Sequence, residues 1–113
     1  MNSIDHIALA REAYGAYESG DRSAIEGLLS DDLLFYSPAD VGIDRAAYFE
    51  RCWPNAGAIE SYRFVRLIEV GNEVLVTYES TRKDGSSFRN TEVLTFEGEK
   101  ISRVEVYFGW DLP

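Results

Sequence analysis

Few residues in this chain could move a proton, and they lie far apart. In the stretch "SFRNTEVLTF", strand alternation puts Phe88, Asn90, Glu92, Leu94 and Phe96 on one face, and Arg89, Thr91, Val93, Thr95 and Glu97 on the other. With Leu94 and Phe96 toward a core, Glu92 points inward beside Asn90. A carboxyl among aromatic rings is costly to ionise, so its pKa is expected to rise unless a cation or several donors serve it. Such a group either hydrogen-bonds a structural partner, a tyrosine hydroxyl or an arginine, or acts as an acid or base facing a ligand. Asp40, in the loop after Pro38, also has two readings. It caps local amides in a turn, or it is a second carboxylate across a cavity from Glu92, with acid and base set apart by environment.

Around that loop the chain reads "LLFYSPADVGIDRAAYFERCWP", Leu33 to Pro54, dense in aromatic side chains. Tyr14, Tyr36, Tyr48, Trp53, Tyr78 and Trp110 combine large rings with a hydroxyl or indole donor. Such residues serve as core and as dimer contacts, and they also suit an enclosed planar ligand. Tyr14, Tyr36, Ser37, Tyr48, Trp53, Tyr78 and Asn90 are the candidate ligand-binding set, with Glu92 and Asp40 as the candidate catalytic pair. His6 is the only histidine, near the chain start on what reads as an exposed helical turn. It is expected at the surface, with no metal cluster around it. No phosphate loop, dinucleotide fingerprint or hydrolase elbow occurs, so no cofactor is expected.

The elements that position these residues follow from periodicity. Ile4, Ile7, Ala10, Tyr14 and Tyr17 form one apolar stripe, predicting a helix over 4–18 with Ser3 as N-cap and Gly20 as its stop. Asp21 then caps a shorter helix burying Ile25, Leu28 and Leu29. A short strand over 33–36 is halted by Pro38. Asp44 offers an N-cap for a helix that runs through Trp53 and ends at Pro54, stacking Tyr48 on Cys52 and Phe49 on Trp53. Strands over 62–70, 74–82, 87–96 and 101–108 follow, divided by turns at Gly71-Asn72, Asp84-Gly85 and Gly98. Three helices and a curled antiparallel or mixed sheet make an α+β cone with helices on the concave face. A cone of this size leaves its open end incompletely filled, which predicts an apolar cavity with a few polar groups.

Composition narrows the function classes. The 113 residues suit a single domain spanning 1–113, and 45% hydrophobic residues supply a core. Acidic residues outnumber basic ones 20 to 11, a formal charge of −9 that repels phosphate backbones and anionic lipid. Neither nucleic acid nor a membrane is therefore an expected partner. "MNSIDHIALA" lacks the basic and apolar regions of a secretory leader, and no apolar run approaches the ~20 residues of a membrane helix. Cys52 is the only cysteine, which excludes an internal disulfide and fits a reducing compartment, so the cytoplasm is the expected location.

Three segments carry a resemblance: "YESGDRSAIEGLLSDDLLFYSP", "IDRAAYFERCWP" and "NTEVLTFEGEKISRVEVYFGW". A helix turning at a Gly-Asp pair and a last hairpin ending in Tyr-Phe-Gly resemble the SnoaL-like branch of the NTF2-like, ketosteroid isomerase-like superfamily. The resemblance spans nearly the whole chain and implies the fold, while that scaffold hosts isomerases, dehydratases, cyclases and non-catalytic subunits. In the isomerase, the residue before the proline after the first strand is an aspartate base; here it is Ser37, which with no adjacent histidine cannot abstract a carbon-bound proton near neutral pH. The isomerase's tyrosine donor aligns near Ala13, one step from Tyr14, and its buried carboxylic acid falls on Glu92. The implied activity is binding of a small hydrophobic, oxygenated ligand. It is either cofactor-independent acid–base catalysis (isomerase, cyclase or dehydratase) or non-catalytic binding as a partner module. Relatives pair through the outer sheet face. Here that face alternates Leu75, Thr77, Glu79 and Thr81 against Val74, Val76, Tyr78 and Ser80, mixed enough for a moderately wet homodimer contact.

Overall fold

The computed structural model describes residues 4–113, so Ser3 lies outside the described residues. Helix α1 spans His6–Ser19 and is capped by Asp5, whose carboxylate accepts the Ala8 amide at 3.0 Å. Gly20 closes it in the left-handed conformation at φ 70°, where a side chain would be strained. Asp21 then caps α2, Arg22–Leu28, by accepting the Ala24 amide. The Gly-Asp turn thus does what its residue types imply.

Strand β1 covers Leu29–Tyr36 and starts four residues before the expected strand. Leu29, expected on the helix, is instead its first inward residue, and Leu33 follows it into the core. Val41–Asp44 forms a short edge strand, β2, that the sequence pattern did not announce, because four residues are too few for an alternation to stand out, and only Ile43 is not exposed. Asp44 caps α3 as expected, but α3 ends at Arg51. Trp53 begins a 3-10 helix over Trp53–Ala58, and Pro54 sits inside its first turn rather than after the helix. Proline's fixed φ suits that position.

Four longer strands follow: β3 (Ile59–Val70), β4 (Glu73–Arg82), β5 (Ser87–Glu97) and β6 (Lys100–Asp111). They run as an antiparallel meander, and β1 adds to β6 in parallel, giving the order β2-β1-β6-β5-β4-β3. The sheet is therefore mixed. Irregular register at Ile59/Ser61, Phe64/Arg66, Arg89/Asn90 and Thr95/Phe96 bends it, as bulges do. Helix α1 packs on β3 and β4 across the resulting hollow.

The core fills the narrow end of the cone, where Ile25, Leu33, Val74, Val76, Phe96 and Ile101 are each at most 2% exposed. His6 departs from its expected place. Its ring stacks on Phe96 with centroids 4.4 Å apart, and its nitrogens bond Glu69 and the Gly98 carbonyl. It fastens the start of α1 to two strand turns instead of lying free on the surface.

Candidate functional site

The wide end of the cone does not fill. A cavity of about 290 Å³ lies between the inner face of β4–β6, helix α1 and the α3 side, with walls mostly of apolar carbon. Inward alternation on β5 carries Phe88, Asn90, Glu92 and Leu94 to this wall, as the pattern of that strand requires. On β4 the same alternation sends Tyr78 in and Glu79 out.

Glu92 is the polar centre. Its Oε1 accepts from the Tyr14 hydroxyl at 2.9 Å, and its Oε2 accepts from the Tyr78 hydroxyl at 2.6 Å. Asn90, 9% exposed, donates to the Tyr78 hydroxyl at 3.4 Å and accepts the Gly109 amide at 3.3 Å. The Tyr14, Tyr62 and Tyr78 rings pack against one another with centroids 5.1 to 5.4 Å apart, which fixes the two phenols that hold the carboxyl. Glu92 is half-buried and forms part of the cavity wall.

Burial lifts the Glu92 pKa above the usual carboxylate range, and the two phenol hydrogen bonds oppose this only in part. The phenols shift too: burial and then the nearby carboxyl hold Tyr14 and Tyr78 protonated well above the ordinary tyrosine range. Both hydroxyls are therefore committed donors. A carboxyl favoured in its neutral form, yet provided with two donors for its ionised form, is equipped both to give a proton and to take one.

Tyr48 also lines the cavity, where its hydroxyl bonds that of Tyr17. Burial raises the pKa of both. Tyr17 and Tyr62 are site residues that sequence reasoning missed. Tyr17 was legible as part of the α1 apolar stripe, three residues after Tyr14, but a helical stripe reads as core. Tyr62 sits near the start of β3 and gave no separate signal.

Ser37 and Asp40 form the rim. Ser37 Oγ accepts the amides of Ala39 and Asp40 at 3.2 and 3.1 Å, so the serine, not the aspartate, caps this turn. The Asp40 carboxylate instead reaches α3, accepting from Arg51 Nε at 2.7 Å and Nη2 at 2.6 Å. Both residues touch the cavity. Tyr36 and Trp53 do not. The Tyr36 ring lies in an outer groove with Val41 and Tyr107, and the Arg103 guanidinium lies 5.8 Å from its centroid. Strand alternation explains this, since Phe35 takes the inward position. Trp53 packs behind the wall, 5.0 Å from Tyr17 and 6.3 Å from Phe49 by ring centroids. Cys52 lines the cavity, and burial pushes its thiol up to about 11, so it is no ready nucleophile. No lysine, arginine or histidine lines the cavity. Among the described residues, no three His, Cys, Asp or Glu side chains converge to hold a metal, and no helix is long and apolar enough to cross a membrane.

A family profile described as the SnoaL-like domain matches residues 10–104. The chain belongs to the SnoaL-like domain family. A search of curated protein sequences gives no match. Among solved structures, this SnoaL-like domain is similar to a provisionally assigned ketosteroid isomerase from Kribbella flavida. The two are 20% identical with a TM-score of 0.76, covering 94% of this chain and 80% of that one. It is also similar to a provisionally assigned polyketide cyclase from Sinorhizobium meliloti, 18% identical with a TM-score of 0.72, covering 88% and 93%. An NTF2-like protein of unknown function from Cytophaga hutchinsonii is 20% identical with a TM-score of 0.71, covering 96% and 93%. At these identities the likeness establishes the NTF2-like fold of the SnoaL-like domain and leaves its chemistry to the site.

Proposed function

We propose that this SnoaL-like domain binds a small, hydrophobic, oxygenated molecule in the cone and moves a proton on it without a cofactor, as an isomerase or cyclase does. The observation that carries this reading is the Glu92 carboxyl at the cavity wall, lifted in pKa by burial and held by the Tyr14 and Tyr78 hydroxyls. The similarity to proteins described as a ketosteroid isomerase and a polyketide cyclase supports the same class.

In this reading, ionised Glu92 takes a proton from a carbon next to a carbonyl. The C–H electron pair forms a new C=C bond while the carbonyl π electrons move onto oxygen, giving an enolate that a tyrosine hydroxyl of the wall, such as that of Tyr48, stabilises by donation. Protonated Glu92 then returns the proton to the same or a conjugated carbon. Asp40 and Ser37 shape the rim, and Asn90 holds Tyr78 in place.

Deuterium exchange tests this without knowing the natural substrate. β-Tetralone in deuterium oxide, followed by proton NMR, should lose its α-hydrogens faster with the protein than with buffer. The acceleration should vanish in Glu92→Gln, which retains a side chain of the same shape. A wild-type rate equal to buffer, or full acceleration in Glu92→Gln, removes Glu92 from the chemistry.

A non-catalytic binding role is favoured by one specific observation: both Glu92 oxygens already have protein donors. That role gives saturable β-tetralone binding with no exchange above buffer.

A further inference from the structure

The inner cavity continues outward. It shares Asn55, Ile59, Phe88, Asn90 and Phe108 with an outer recess of about 530 Å³, which adds Arg82 and Asp111 to its wall. The two recesses differ in charge. The inner one has no lysine, arginine or histidine in its wall to compensate a buried anion, so it suits the neutral end of a ligand.

The outer recess has one cation, and that cation is poorly used inside the protein. Among the described residues, Arg11, Arg45, Arg66 and Arg82 have no carboxylate oxygen within 4.0 Å. Of these four, only Arg82 lines either recess. Its guanidinium lies 4.2 Å from the centroid of the Phe88 ring, and that ring walls both recesses. Its one side-chain hydrogen bond runs from Nη1 to Ser86 Oγ at 3.2 Å, which leaves most of its five N–H donors free. The nearby Asp84 accepts the amide and hydroxyl of Ser86 at Oδ1 and feels Arg82 only through space, beyond ion-pair distance. Asp111 shares the recess and stands beyond ion-pair distance.

We propose that the outer recess is an anion subsite of the same ligand site, so that the molecule held with its neutral oxygenated end at Glu92 carries a carboxylate at its other end, received by Arg82. The inference rests on the ligand-binding reading above and adds polarity to it. A carboxylate matches the planar guanidinium fork with two parallel N–H···O bonds, and the position of Arg82 over the Phe88 ring restrains where that fork can lie. A monoanion also suits a recess that contains Asp111, in a chain of net charge −9, better than a doubly charged phosphate does.

Hydroxynaphthalene-alkanoic acids with one to three methylenes, and their methyl esters, serve as probes, titrated by naphthalene fluorescence. Wild-type protein should bind the best-fitting acid about tenfold or more tightly than its ester, the size of a charge-assisted hydrogen bond. In Arg82→Gln and in Arg82→Met, which keeps apolar cover on Phe88, acid affinity should fall to the level of the ester while ester affinity stays put. An ester that binds wild type as tightly as its acid overturns the anion subsite and leaves the cavity reading intact. An acid preference that survives in both Arg82 variants overturns it equally. If neither acid nor ester binds wild type, the cavity reading fails and the subsite falls with it.

Discussion

Glu79 and Glu92 lie on neighbouring strands of one sheet, and they illustrate opposite ways of housing a carboxyl group. Glu79 points outward from β4, where its Oε1 accepts from Arg63 and its Oε2 from Arg89 at 2.6 and 2.7 Å. Those two arginines hold its pKa below the usual carboxylate range, Arg63 first and Arg89 next. Glu92 points inward from β5, where both oxygens are also hydrogen-bonded, but by neutral phenols. Its pKa moves the other way because burial opposes charge and no cation answers it. Hydrogen bonding is complete on both faces. What differs is charge compensation, which leaves the outer carboxyl locked as an anion and the inner one free to change state.

The largest expected effect comes from removing both donors of the inner carboxyl. Tyr14→Phe combined with Tyr78→Phe strands Glu92 without a partner and should lower the free energy of unfolding by about 2–3 kcal/mol near neutral pH, measured by urea titration. The loss should shrink in acid, where a protonated Glu92 needs its partners less. An equal loss at both pH values would mean the phenols act through packing alone.

A smaller effect with a sharper sign comes from neutralising each carboxyl in turn. Because the folded pKa of Glu92 lies above its unfolded value, its contribution is fully present below the unfolded pKa and is lost as pH rises through the folded pKa. The melting temperature of Glu92→Gln relative to wild type should therefore climb as pH goes from acid to neutral and beyond. Glu79 has a lowered folded pKa, so its contribution exists above the unfolded value and fades as pH falls. Glu79→Gln should accordingly fall further below wild type from acid to neutral pH. Parallel trends in the two variants would erase the distinction between the faces.

The smallest effect belongs to Arg63→Gln, since Glu79 keeps Arg89 and the Arg63 side chain is 69% exposed. A slight drop in melting temperature should disappear in about 1 M salt, where exposed pairs are screened. A drop that persists in salt would make Arg63 a packing residue.

The inward aim of Glu92 was legible because β5 alternates without interruption from Phe88 to Phe96, so two unmistakable core residues fix the phase of the acid. The Gly20-Asp21 turn and the Asp44 cap were legible because each residue acts on a backbone group within four positions. Tyr36 and Trp53 were misplaced for the complementary reason. Aromatic side chains announce burial without saying on which side of a wall they lie, and the apolar run Leu33–Tyr36 has no polar residue to mark which of its positions faces outward. The exposed β2 strand has only the Val41/Ile43 pair, too short an alternation to reveal a strand. The Arg51–Asp40 pair, the His6 anchor and the Tyr17–Tyr48 contact each join residues of different elements, and no local pattern encodes them.

Gly109 has a consequence beyond its own position. A Cβ there would stand 2.3 Å from the Arg89 carbonyl oxygen, so only glycine allows β6 to gain an extra residue opposite the Arg89/Asn90 step. That added residue changes the parity of everything after it. Trp110 comes to lie opposite Arg89 on the outside, and Asp111 opposite Phe88. In an unbroken register the indole would sit opposite Phe88, on the wall common to both recesses. A missing methyl group thus turns the indole from the Phe88 side of the mouth to the Arg89 side, where it edges the outer recess instead of facing the inner one.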